Sequence, residues 1–166
     1  MHLLLSDRSL VIDLERGQFW ELLLPHFEIV VPDVLWERHF DQQEKKSLLR
    51  AGLNIRELSE AEISLATTYF RQLQSKGISA ADASALVLTK TLSGTLLTQN
   101  RHLLNFSQEQ AIFTQTLREL VEHLISERGV LPRTLHQKLT LICQHKHCGV
   151  YCKALLDWLA LKLPKI

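Results

Sequence analysis

Two spacings of apolar residues alternate along this chain. Leu3, Leu4 and Leu5 form a continuous run that stops at Ser6, Asp7, Arg8 and Ser9, the pattern of a short strand buried on both faces of a parallel sheet. Leu10, Val11, Leu14, Phe19, Leu22 and Leu23 then recur at helical intervals, so the strand feeds a helix. Pro25 and His26 break that pattern, and Glu28, Ile29, Val30, Val31 and Pro32 read as a second strand rich in β-branched residues. Pro32 closes it and suits the first turn of a helix that carries Val34, Leu35, Glu37, Arg38 and His39. Residues 41–46 are charged, and residues 48–52 follow with no strong periodicity. Residues 54–58 admit two readings, a short edge strand and a helix.

Ser59 and Glu62 have the form of a capping box ahead of a helical run through Ile63, Ala66, Tyr69, Phe70 and Leu73, which Gly77 ends. Ser79 caps the next helix, residues 80–91, where Asp82 is the single carboxylate among alanines and leucines. Residues 95–98 make a fourth strand and residues 111–114 a fifth. From Leu117 onward the signal is helical: Leu117, Leu120, Val121, Leu124 and Ile125, then, past Gly129 and Pro132, Leu135, Leu139 and Ile142, and last residues 154–163. The alternation predicts a three-layer α/β/α domain over residues 1–125, with a mainly parallel sheet of four or five strands. Residues 126–166 are expected to be a helical C-terminal extension, packed on that domain or appended to it.

Length and composition narrow the setting. At 166 residues one core is large enough to need no covalent staples. The three cysteines, Cys143, Cys148 and Cys152, are an odd set crowded together, which suits a reducing compartment better than a secreted framework. The first residues lack a basic n-region, and no stretch approaches the roughly 20 apolar residues of a membrane span, so a soluble cytoplasmic protein is expected. The formal net charge of +1 conceals an asymmetry: residues 118–166 carry +4 and residues 1–117 carry −3. The near-neutral total removes charge alone as an argument for non-specific nucleic-acid binding.

Four polar residues fall at comparable places in this alternation. Asp7 follows the first strand, Glu37 lies in the helix after the second, Asp82 opens the helix before the fourth, and Asn100 comes just after the fourth. Each has a structural reading as well. Asp7 can cap its helix, Asp82 can interact with the helix dipole, and Glu37 can be a solvated residue with Asp41 and Glu44 as nearby alternatives. Brought together at one end of a parallel sheet, they would make an oxygen-rich site for a hard cation such as Mg²⁺ or Mn²⁺. Such an ion activates water and neutralises charge that builds on a phosphodiester.

The ordered set resembles the PIN domain family, of the VapC-like kind. The resemblance rests on Asp7 and Ser9 after the first strand; on Val31, Pro32 and the helix holding Glu37; on Ser79, Ala80, Ala81, Asp82 and Ala83; and on Leu96, Leu97, Thr98, Gln99, Asn100, Arg101, His102 and Leu103. It covers about residues 2–116. It implies a three-layer α/β fold and a metal-dependent ribonuclease, in which Asp7, Glu37, Asp82 and Asn100 form the catalytic metal site for Mg²⁺ or Mn²⁺. Asn100 stands where the family usually has Asp; it brings no negative charge and cannot act as a base. Ser9, Thr98 and Arg101 are the substrate-side candidates, while Arg8, Arg38 and His102 could hold phosphates or be solvated charge. The implied partners are an RNA substrate, an antitoxin protein and a second copy of the chain, with no membrane. The alternative is a catalytically inactive PIN-like module serving as a protein- or RNA-binding scaffold.

Cys143, His145, His147, Cys148 and Cys152 add soft ligands in one short stretch. Zinc is one reading. Small buried thiols around a helical turn are the other, and the ligand spacing favours it.

Overall fold

In the computed structural model, which describes residues 1–145, 148 and 150–163, the leucine run is β1 (His2–Leu5). It is followed by α1 (Arg8–Arg16), α2 (Trp20–Leu23), β2 (Glu28–Pro32), α3 (Asp33–His39), α4 (Gln42–Ala51) and β3 (Asn54–Arg56). The chain continues through α5 (Glu60–Leu73), α6 (Ala80–Thr91), β4 (Thr95–Leu97), α7 (Arg101–Glu109), β5 (Thr114–Gln115), α8 (Leu117–Ser126), α9 (Pro132–Cys143) and α10 (Val150–Ala160). The five strands form one sheet in the order β3-β2-β1-β4-β5, and every neighbouring pair is parallel. This is the α/β fold that the alternation predicts, with five strands.

The strand period of two sorts the core into two layers. Leu3 and Leu5 of β1 join Ile29, Val31 and Leu97 in a cluster covered by α1, α8, α9 and α10. Leu4 joins Val30 and Leu96 in the other, covered by α5, α6 and α7. Burial on both faces is why β1 reads as an unbroken apolar run. A close approach helps seat β4 against it: a Cβ at Gly94 would lie 2.7 Å from Leu4 Cδ1 and 3.0 Å from the His2 carbonyl oxygen.

Three elements differ from the sequence expectation. The helix expected through Leu23 is two helices, because Gly17 ends α1 and Gln18 follows at φ 55. Residues 42–51 are helical despite weak periodicity, because Asp41 and Glu44 form a capping box and Gly52 closes the helix at φ 101. The fifth strand begins three residues later than expected, since Ala111 takes φ 53 and delays entry into the sheet. The two-way reading of residues 54–58 resolves as an edge strand, β3.

The C-terminal hairpin shares the core of the sheet. Leu135, Leu139, Ile142, Cys152, Leu155 and Leu159 belong to the same buried cluster as Leu3 and Leu10. Polar anchors reinforce the contact with α1: Lys138 Nζ donates to the Gln18 carbonyl at 2.7 Å, and the Tyr151 hydroxyl donates to Asp13 Oδ2 at 3.1 Å. Burial raises the Tyr151 hydroxyl pKa, with the nearby Cys152 and Asp13 adding to it. Burial, aided by Asp13, also pushes the Cys152 thiol up to about 12. Cys143 is raised by burial and by neighbouring Cys148. Both shifts favour the neutral thiol, and Cys152 Sγ lies 4.0 Å from Asp13 Oδ2. Among the described residues no three His, Cys, Asp or Glu side chains are grouped to hold a metal ion; His147 lies outside the described residues. Nor, among them, is any helix long and apolar enough to cross a membrane.

Candidate active site

Strand order reverses at β1: β2 and β3 lie on one side of it, β4 and β5 on the other. In an open parallel sheet the loops leaving two such strands diverge at their carboxyl ends, and a crevice opens between them. Here the crevice is a cavity of about 420 Å³. Ser6, Asp7, Arg8 and Ser9 wall it after β1, and Thr98, Gln99 and Asn100 wall it after β4. Ser79 and Asp82 contribute from the start of α6, and Leu35 and His39 from α3.

Each polar residue is held by the local structure that its sequence dictates. Asp7 is the N-cap of α1, its Oδ1 accepting from the Ser9 backbone N–H at 2.8 Å. This leaves Oδ2 without a hydrogen-bond partner among the described residues. Asp82 is the third residue of α6 and closes a capping box: Oδ2 accepts from the Ser79 N–H at 2.9 Å and from its hydroxyl at 2.7 Å. Its other oxygen, Oδ1, accepts from the Ser6 hydroxyl at 2.6 Å, a bond between residues 76 apart in the chain. That bond ties α6 to the end of β1 and sets both carboxylates on one cavity. Asn100 caps α7, its Oδ1 accepting from the His102 N–H at 2.9 Å and the Leu103 N–H at 3.4 Å. Thr98 is buried, and its hydroxyl oxygen accepts from the Asn100 N–H at 3.1 Å. The capping and site readings of Asp7 and Asp82 are therefore compatible: the caps hold the side chains at the wall.

The structure brings together Asp7, Ser9, Asp82, Thr98 and Asn100 and leaves Glu37 apart. Leu35 and His39 stand one helical turn apart on the cavity side of α3, so Glu37, midway between them, points away. Its side chain is 69% exposed and pairs with Lys45 at 2.8 Å. Arg38, Arg101 and His102 do not wall the cavity, whereas Arg8 does while pairing with Glu44. Sequence reasoning missed Ser6, Ser79 and His39 as wall residues. The capping-box spacing signalled a link between Ser79 and Asp82, but nothing local marks Ser6 as the partner of Asp82 or His39 as the cavity-facing residue of its helix.

The donor set fits a hard divalent cation in one specific manner. Mg²⁺ is commonly bound by one or two carboxylates, with water and substrate phosphate filling the remaining positions. Asp7 and Asp82 are the two carboxylates on the cavity, Asp7 with Oδ2 unpaired among the described residues and Asp82 with both oxygens also accepting from Ser6 and Ser79. The Asn100 carbonyl oxygen already accepts two backbone bonds, so its present role is to hold the start of α7.

Fold and site together define a three-layer α/β/α protein with an acidic crevice at the switch point of a parallel sheet. No protein-family model matches the chain, and no curated protein matches it. Among solved structures it is similar to VapBC2 from Rickettsia felis, bound to a DNA fragment from their promoter, at 16% identity and a TM-score of 0.48; the match covers 70% of this chain and 98% of that one. It is also similar to VapBC-1 from nontypeable Haemophilus influenzae, at 16% identity and a TM-score of 0.44, covering 69% and 96% of the two chains.

Proposed function

We propose that this protein is a metal-dependent endoribonuclease of the PIN type that hydrolyses RNA phosphodiester bonds. The observation that carries this reading is the placement of Asp7 and Asp82 on one cavity, fixed by the bond from the Ser6 hydroxyl to Asp82. Asp7 and Asp82 would hold Mg²⁺ or Mn²⁺. When bound, such an ion supplies an activated water and neutralises charge on the phosphoryl oxygens.

The chain's own residues do the rest. Ser6 and Ser79 lock the Asp82 carboxylate in one orientation. Asn100 and Thr98 hold the start of α7 at the cavity wall. Arg8 and His39, which also wall the cavity, would present donors to a phosphate. In this reading the physiological partner is an antitoxin that keeps the nuclease silent, and the working form is a homodimer.

A second reading follows from Glu37 and Asn100. With Glu37 paired to Lys45 and the Asn100 oxygen engaged in a cap, the site carries less charge than three or four carboxylates would give. A catalytically inactive module that binds RNA or protein has that property.

Incubation of the purified protein with single-stranded RNA separates the two. The nuclease reading expects internal cleavage in Mn²⁺ or Mg²⁺ that stops on chelation. Intact RNA under all metal conditions, from a folded protein, contradicts it and favours the inactive module.

A further inference from the structure

Among the described residues Arg8 is the one member of the cavity wall with a permanent positive charge. It opens α1 directly after Asp7, and its side chain is 43% exposed, within reach of a phosphate arriving from solvent. Among the described residues it pairs with neither Asp7 nor Asp82. Its Nη2 donates instead to Oε1 of Glu44, which stands on α4 outside the cavity wall, and its Cζ lies 6.0 Å from the centroid of the buried Phe40 ring. Glu44 is itself fixed. Its Oε2 accepts from the Asp41 N–H at 3.0 Å while its own N–H donates to Asp41 Oδ1 at 2.8 Å, the capping box that starts α4. One carboxylate thus holds a helix start with one oxygen and the cavity's arginine with the other.

We propose that Glu44 is a positioning residue that acts through Arg8: from outside the cavity it holds the guanidinium so that the remaining N–H groups take a phosphate oxygen of the bound RNA strand. The proposal rests on the ribonuclease reading and extends it to how the strand is held. A guanidinium carries five N–H donors in a rigid fork, so one bond to Glu44 leaves the others for a phosphate. An arginine left unheld beside Asp7 and Asp82 would pair with the carboxylates that a cation needs; Glu44 keeps it off them. A long side chain also loses freedom when it binds, and Glu44 has already taken much of that freedom from Arg8. The negative charge of Glu44 opposes the phosphate only weakly, because the pair is open to solvent and screened by salt.

The test is a double-mutant cycle of Glu44→Gln and Arg8→Met. Gln closes a capping box as Glu does, so Glu44→Gln removes the charge that holds Arg8 and keeps the start of α4. Met is a good helix former at the start of α1. Affinity is read by fluorescence anisotropy of a labelled single-stranded RNA of mixed sequence, with Ca²⁺ in place of Mg²⁺, over a range of salt concentrations. Arg8→Met is expected to weaken binding about tenfold or more, the usual scale for a hydrogen bond to a charged group, and to reduce the salt slope by about 0.7, one phosphate contact on a single strand. Glu44→Gln is expected to weaken binding about threefold to tenfold, the scale of ordering one long side chain, and to add nothing in the Arg8→Met background. Unchanged or tighter binding in Glu44→Gln overturns the proposal, since Glu44 would then be idle or opposed to the strand. So does an equal loss in both backgrounds, because Glu44 would then be serving the fold. If Glu44→Gln does not fold, Glu44→Asp, whose shorter carboxylate withdraws from Arg8 and keeps the charge at the helix start, is judged by the same criteria. Because binding is read apart from cleavage, a wild type that binds RNA but never cuts it contradicts the catalytic reading while the cycle still decides the role of Glu44. A wild type with no RNA affinity overturns both.

Discussion

Asp7→Asn is expected to lower metal-dependent RNA cleavage by more than about 100-fold while leaving the protein folded. Loss of an outer partner of a metal ligand typically costs about 10–100-fold, and removing a charged ligand should exceed that. The substitution is clean because Asp7 caps α1 by accepting from the Ser9 N–H, and Asn caps helices about as well as Asp. What changes is the negative charge at the cavity wall. Asp82→Asn would be harder to interpret, since both Asp82 oxygens accept hydrogen bonds that join α6 to its own cap and to β1. Cleavage rates together with circular dichroism check the expectation, and full activity in a folded Asp7→Asn protein would remove Asp7 from the chemistry.

Leu139→Ala is expected to destabilise the protein by about 2–5 kcal/mol, the usual range for emptying a fully buried leucine site. Against a typical domain stability of about 5–15 kcal/mol, that is a large fraction. Leu139 is fully buried in the cluster that also contains Leu3, Leu5, Leu10 and Leu14, and α9 meets α1 closely enough that a Cβ on Gly17 would lie 2.8 Å from Ile142 Cγ1. The cavity left by Leu139→Ala therefore opens in the layer that supports β1. Urea denaturation should show one cooperative transition at a lower midpoint. A loss well under 1 kcal/mol, or a separate early transition for the hairpin, would mean that α9 and α10 are appended to a self-sufficient domain.

The parts of this fold legible in the sequence are those written in local pattern. Leu3 to Leu5 announce a strand buried on both faces, and Ser59 with Glu62 and Ser79 with Asp82 announce helix starts through their capping spacing. The same logic applied to Asp41 and Glu44 would have found α4, where weak apolar periodicity concealed it. The split between α1 and α2 depends on Gln18 taking a positive φ, a conformation supported from far away by Lys138.

The site was legible in proportion to how local each residue's determinants are. Asp7 and Asn100 sit at strand ends, so strand prediction places them. Asp82 reaches the cavity through Ser6, a contact across 76 residues that no local pattern encodes. Glu37 has the expected place in the sequence, but side-chain direction depends on the rotation of α3, which the packing of Leu35 and Trp36 sets. His39 gains its place on the wall from that same rotation.

The central claim, that Asp7 and Asp82 form a working cation site, is tested most directly by Mn²⁺ titration calorimetry on the wild type, Asp7→Asn and Asn100→Asp. Asp replaces Asn at a helix cap without penalty, so Asn100→Asp adds one charge to an otherwise intact wall. Two unit charges about 4 Å apart interact by about 1–4 kcal/mol between bulk-water and protein-surface screening, which corresponds to about fivefold or more in affinity. The account predicts binding by the wild type, loss of binding in Asp7→Asn and tighter binding in Asn100→Asp. Equal Mn²⁺ affinity in the wild type and Asp7→Asn, or no binding by any of the three, would contradict it.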